Sequence, residues 1–378
     1  MIEFDLVGAD VLWPEGLMRA PLGLCAGRIA AAGGGREVDL SGYLVLPGIV
    51  DMHGDGFERH LAPRRGVMKD LAPGLASVDA ELAANGITTA VLAQFWSWEG
   101  GMRSADFARR FLTALDKTRM LTDCRVQLRF ETHLLDDYAA FEETVAAYDV
   151  GYVVFNDHLP HAALENGKRP PRLTGQALKS GRSPEAHLTL LQALHARRSE
   201  VEAALDGLAS RLNARGVLLG SHDDATDEIR AKWRARGVSI SEFPETQNAA
   251  ASAHDGNDAI VLGAPNVVRG GSHSGNAAAS DLVGAGLCDA LASDYHYPAL
   301  RQSVLRLINE GIVTLEAGWA LVSSRPAEVM GLSDRGSFTL GKRADLIVME
   351  PETGRIGATL VAGKISYLSG DVASRFLS

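Results

Sequence analysis

The stretch VLPGIVDMHGDGFERHLAPRRGV, residues 45–67, sets a short apolar run against a tip crowded with ionisable groups: His53, Asp55, Glu58, Arg59 and His60. A run this short and apolar, punctuated by glycine and proline, reads as a buried strand. Charged groups at the end of such a strand cost desolvation energy unless the strand opens on a polar mouth. Parallel α/β folds provide that mouth, because the carboxyl ends of their strands converge on one face.

Seven further runs have the same form: GITTAVLAQF, VQLRFETH, GYVVFNDH, GVLLGSHDD, VSISEFPE, AIVLGAPN and DALASDY. Several of the stretches between them, such as VDAELAANG, FARRFLTALDK and FEETVAAYD, space their apolar residues as helices do. Alternating strand and helix patterns, with continuously apolar strands, predict an α/β fold whose parallel sheet is covered on both faces. Eight such strands predict closure into a (β/α)8 TIM barrel, with an open doubly wound sheet as the competing architecture. A length of 378 residues suits one barrel with a small companion domain.

The chain ends behave differently. Residues before about Leu46 and after about Arg335 are short β-type pieces with glycine turns, among them CAGRIAAAGGG and GKRADLIVMEPETGRIGATLVAGKISYLSG. Neither end makes a sheet alone, so the expectation is a small β-domain of residues 1–46 plus 335–378, with the barrel, residues 47–334, inserted between its halves. The segment from Leu159 to Ser183, rich in proline, glycine and basic residues, reads as a long loop.

Composition excludes several function classes. With 22% charged and 46% hydrophobic residues the chain is neither disordered nor membrane-like. Its formal charge of −10, without any basic block, opposes nucleic-acid binding. The opening MIEFDLVGADVLWPEG has no basic leader, and no segment approaches the ~20 apolar residues that span a bilayer, so a cytoplasmic protein is expected. Cys25, Cys124 and Cys288 form no metal or redox pattern and read as core residues.

At the strand tips stand His53 and Asp55 on the first run, Glu131 and His133 on the third, His158 on the fourth, His222 with Asp223 on the fifth and Asp294 on the eighth. Period-two geometry aims His53 with Asp55, and Glu131 with His133, in one direction within each pair. Imidazoles and carboxylates gathered at one mouth suit a divalent ion such as zinc, manganese or iron.

The motifs LPGIVDMHGD, ERHLAPRRGV, NDHLP, SHDDAT, EFP, GAPNVVRGGSHSGN and LASDY, with GKRADLIV near the end, resemble the amidohydrolase superfamily, and within it the PhnM-type hydrolases of phosphonate metabolism. That resemblance implies a distorted (β/α)8 barrel with a small β-sandwich built from both termini. It implies two divalent metal ions, with His53, Asp55 and Asp294 on one, His158 and His222 on the other, and Glu131 bridging. Asp294 is then the general base. The superfamily takes its two separate histidines from strands five and six, whereas the runs above put them on four and five. Either a strand is uncounted or Glu131 and His133 divide their duties differently, with His133 a substitute ligand.

The implied reaction is hydrolysis of α-D-ribose 1-methylphosphonate 5-triphosphate to the 5-phosphate and diphosphate. Its phosphorylated sugar phosphonate calls for anion donors, which Arg269, Ser272, His273, Ser274 and Asn276 offer in VVRGGSHSGN, and Arg59, His60, Arg64 and Arg65 offer beside the first tip. Two pocket-lining loops depart from the branch pattern: GDGFERH replaces Thr-Asp-Asn-Leu-Glu-Lys-His, and DHLPHAALENG replaces Asp-His-Thr-Pro-Gly-Gln. The alternatives are a superfamily paralogue acting on another phosphorylated compound or a C–N bond, and a non-catalytic scaffold subunit of a phosphonate-processing complex. A homo-oligomer is compatible with each.

Overall fold

A computed structural model describes residues 3–62, 70–271 and 276–378. Arg64, Arg65, Ser272, His273 and Ser274 lie outside the described residues.

Seven short strands open the chain: β1 (Phe4–Val7), β2 (Asp10–Trp13), β3 (Gly16–Met18), β4 (Leu22–Cys25), β5 (Arg28–Ala30), β6 (Arg36–Asp39) and β7 (Leu44–Pro47). The barrel strands follow as β8 (Ile49–Gly54), β9 (Ile87–Trp96), β10 (Asp123–Glu131) and β11 (Tyr152–Asn156). They continue as β12 (Leu218–His222), β13 (Ile240–Glu242), β14 (Ala259–Gly263) and β15 (Ala290–Ala292). Three last strands, β16 (Leu346–Met349), β17 (Ile356–Val361) and β18 (Lys364–Leu368), close the chain.

All eight apolar runs are therefore strands, and β8 to β15 lie in chain order in one eight-stranded parallel sheet. Its first and last members meet. Gly54 bridges Asp294, the Asp294 N–H donates to the His53 carbonyl at 2.9 Å, and the Asp55 N–H donates to the Asp294 carbonyl at 2.8 Å. The result is a nearly closed barrel. Every residue of β9 and of β11 is buried, as sheets covered on both faces require. Two of the strand-to-helix turns are set by threonine: the Thr226 and Thr246 hydroxyls accept from the N–H groups of Ile229 and Ala249 and so start the helices Asp227–Ala235 and Gln247–Asp255.

Strands from the two chain ends pair as expected. β7 runs antiparallel to β16, with Leu46 opposite Ile347, inside a six-stranded sheet of order β18-β17-β16-β7-β2-β3. A four-stranded sheet of order β5-β4-β1-β6 shares its apolar core: Phe4, Leu6 and Leu24 pack with Val11, Val45, Leu346, Leu360 and Phe376. We retain residues 1–46 with 335–378 as a proposed domain on the strength of that pairing. Compactness alone divides the chain along another line, into Met1–Leu92, Thr118–Arg125 and Ala259–Ser378 as one unit and Ala93–Lys117 with Val126–Asp258 as the other. The second unit has its own core, in which Trp96, Phe130, Phe141 and Phe155 pack with Leu208, Leu212 and Leu219, the Phe130 and Phe141 rings 4.2 Å apart.

Two expectations are corrected. The segment Leu159–Ser183 is not a structureless loop but carries the helices His161–Glu165 and Leu173–Ser180, held by packing of Leu159, Leu173 and Leu191 against Trp98. Cys25 is exposed and its thiol donates to Glu3 at 3.0 Å, so it is not a core residue. Among the described residues, no helix is long and apolar enough to cross a membrane.

Candidate active site

In the first unit the tip of β8 is built around Asp51, which is buried beneath it. Asp51 accepts from the Ser293 hydroxyl at 2.6 Å, the Ser293 N–H at 3.0 Å and the His53 N–H at 3.3 Å. Burial lifts its carboxyl above the ordinary aspartate range, against the pull of those donors. Gly54 is required here, because a Cβ would come within 2.8 Å of Asp51, Ser293 and Tyr297. His53 is fully buried, while Asp55 and Asp294 are partly exposed. Asp294 holds a left-handed backbone, φ 54°, an uncommon conformation for a residue other than glycine. The structure thus brings His53, Asp55 and Asp294 to one place.

Among the described residues, the basic groups Arg59 and His60 beside this tip are engaged with protein partners. His60 pairs with Glu81 and Arg59 with both Glu81 and the Tyr295 carbonyl, the last at 2.9 Å. Arg269, exposed at the end of the helix Ala264–Arg269, donates to the Tyr295 hydroxyl at 3.0 Å, and Asn276 is exposed.

In the second unit Glu131 ends β10 with no exposure. Its carboxylate accepts from Nδ1 of His158, from the His158 N–H at 3.1 Å and from the Trp98 indole at 3.2 Å. Burial alone would lower the His158 imidazole, but the charge and hydrogen bond of Glu131 outweigh it and raise the group above its ordinary value. The His158 and His222 rings lie 6.1 Å apart, centroid to centroid. His222 faces Glu242 through Nδ1 at 3.3 Å and Arg129 through Nε2 at 2.9 Å. Because Arg129 can only donate, Nε2 carries the lone pair and Nδ1 the proton.

Arg129, Glu242 and Trp98 are functional candidates that the sequence alone does not single out. Glu242 is fully buried at the tip of β13, where EFP reads as a motif without a role. Arg129 is buried on β10 two residues before Glu131, stacked 3.9 Å over the Phe95 ring, and the same period-two argument that pairs Glu131 with His133 points to it. The strand count also stands: His158 follows the fourth barrel strand and His222 ends the fifth, and the sixth presents a carboxylate, Glu242. His133 Nδ1 lies 3.4 Å from Asp157. In SHDDAT, Asp224 is an anchor, buried against Arg230 at 3.2 Å and accepting from the Ser221 and Ser241 hydroxyls.

An eight-stranded parallel barrel with terminal sheets and histidine and carboxylate donors at its strand ends is the architecture of the amidohydrolase class. No protein-family model matches the sequence. It is 32% identical over 321 residues to the α-D-ribose 1-methylphosphonate 5-triphosphate diphosphatase of Escherichia coli (strain K12), covering 82% of this chain and 84% of the relative. The chain belongs to that diphosphatase family. Among solved structures the fold is similar to N-acyl-D-glutamate deacylase from Bordetella bronchiseptica, complexed with zinc and a phosphonate inhibitor. That match has a TM-score of 0.62 and 18% identity over 97% of this chain and 96% of the other. It is also similar to N-acetylglucosamine-6-phosphate deacetylase from Pasteurella multocida, with a TM-score of 0.60 and 12% identity over 96% and 99%.

Proposed function

We propose that the chain hydrolyses α-D-ribose 1-methylphosphonate 5-triphosphate to the 5-phosphate and diphosphate with the help of divalent metal, two ions of zinc, manganese or iron. The observation that carries the reading is the donor chemistry. Fully buried His53 in the first unit, and in the second unit fully buried Glu131 and Glu242 with His158 and His222 beside them, are imidazoles and carboxylates of the kind that hold such ions. Arg129 already places a positive group on the Nε2 lone pair of His222. We assign His53, Asp55 and Asp294 to metal in the first unit, and Glu131, His158 and His222 to metal in the second. When bound, such ions supply Lewis acidity and a water that ionises near neutral pH.

The chain's own residues do the rest. Asp294 takes the proton of the attacking water as its oxygen bonds to phosphorus, and the anhydride bond to the diphosphate group breaks with its electron pair leaving on oxygen. Glu242 and Glu131 orient the two histidines through their Nδ1 atoms. Arg269 and Asn276 serve the phosphate groups, with Ser272, His273, Ser274 and Arg64 expected to add donors, and His60 positions the loop after β8 through Glu81.

Steady-state rates of the metal-loaded protein on this triphosphate, on cyclic phosphates and on N-acyl amino acids test the assignment. Highest catalytic efficiency on the triphosphate is expected. Preference for an N-acyl compound would move the chain to C–N bond chemistry, and inactivity toward all three with no metal retained would make it a scaffold.

A further inference from the structure

One of the two loops that depart from the family pattern, DHLPHAALENG, contributes to a second cluster of donors in the second unit. Asp157 follows β11, His161 opens the helix His161–Glu165, His133 follows β10, and His195 lies near the end of the helix Pro184–Ala196. The His161 Nε2 atom is 3.0 and 3.1 Å from the two Asp157 oxygens, and His133 Nδ1 is 3.4 Å from Oδ1 of Asp157. One donor atom from each of His133, Asp157 and His161 lies within 4.8 Å of the others.

We propose that His133, Asp157 and His161 form a metal site for a zinc-like divalent ion, distinct from the ligand set assigned to catalysis, with His195 positioning His161. Metal bonds of about 2.0–2.1 Å at tetrahedral angles separate neighbouring donor atoms by roughly 3.3 Å. The two Asp157 edges stand at that spacing already, so the ion would enter with small side-chain movements. Two imidazoles and one carboxylate leave a fourth position, and the exposures of the Asp157 and His161 side chains, 40% and 30%, open it to water.

The outer contact is also in place. His161 Nδ1 and His195 Nδ1 are 2.8 Å apart, a distance that requires one to donate and the other to accept. With Nε2 of His161 on the ion, its Nδ1–H donates to His195, which fixes the tautomer and aims the ring. Such an ion would tie the Leu159–Ser183 segment and the helix after it to the tips of β10 and β11.

The test is zinc binding by the chelator-stripped full-length protein, read as metal content after gel filtration and as the shift in melting temperature. Wild type is compared with His161→Ala, Asp157→Asn, His195→Gln and, as a marker of the catalytic ligands, His53→Ala. His161→Ala and Asp157→Asn are expected to hold about one equivalent less zinc than wild type and to lose part of its zinc-induced thermal shift. His195→Gln should weaken that equivalent by about 10- to 100-fold without changing the total at saturation. His53→Ala should keep it, so failure of the catalytic assignment and failure of this site give different patterns. Wild-type zinc content and thermal shift in both His161→Ala and Asp157→Asn would overturn the site.

Discussion

Glu242 is locked on three sides: one oxygen accepts from the Tyr152 hydroxyl and the Gln127 amide, each at 2.6 Å, and the other faces Nδ1 of His222 at 3.3 Å. The carboxylate therefore sets the tautomer and direction of His222. Glu242→Gln keeps the shape but can present an N–H to the imidazole in place of an oxygen. Metal affinity or turnover should fall by about 10- to 100-fold, as measured by metal titration alongside kcat/KM.

Asp294 is held by its backbone, through hydrogen bonds with His53 and Asp55. Asp294→Asn should keep the fold, since asparagine tolerates the left-handed conformation. Its amide can still offer an oxygen to a metal but cannot take a proton at neutral pH. A loss of about 100- to 10,000-fold in kcat, with metal still bound, is expected. Turnover near wild type would remove Asp294 from the base role.

The Arg269→Ala variant should respond to substrate charge. Loss of a charge-assisted contact of about 1.5 to 3 kcal/mol corresponds to roughly 10- to 150-fold in catalytic efficiency on a triphosphate. A neutral N-acyl compound should barely change at the same ionic strength. Equal losses on both would assign Arg269 to holding the loop through Tyr295.

The fold was legible because eight apolar strands each end in a polar tip, and the parallel sheet leaves such runs no other environment. Much of the candidate site was legible for the same reason: ionisable groups at the ends of buried strands are tolerated only where those ends open on a polar mouth. What escaped was set by contacts between strands distant in sequence. Arg129 shares the parity of Glu131, but its stacking on Phe95 depends on another strand, and the role of Glu242 depends on Tyr152 and Gln127 from two other strands. The helices within Leu159–Ser183 were hidden because their apolar residues pack on Trp98 too sparsely to make a period. The partner of His60, Glu81, is 21 positions away on another helix, and no local pattern announces it.

Acid stability offers a further check within the first unit. Burial would raise Asp123, but the hydrogen bond from Arg335 at 2.6 Å and the charges of Arg125, Arg335 and Arg343 outweigh it and hold the carboxyl below its ordinary range. A folded-state value below the unfolded one, near 3.9, stabilises the fold fully above about pH 4 and loses that contribution as pH falls toward the folded value. Wild type should therefore lose melting temperature more steeply than Asp123→Asn as pH falls below about 4, while being the more stable of the two at neutral pH.

The most direct measurement of the central claim is the phosphorus NMR spectrum of products formed from α-D-ribose 1-methylphosphonate 5-triphosphate by the stripped and the metal-reloaded protein. The account predicts diphosphate and the 5-phosphate in equal amounts from the reloaded protein and neither from the stripped one. Orthophosphate as the first product, or equal diphosphate release without metal, would contradict it.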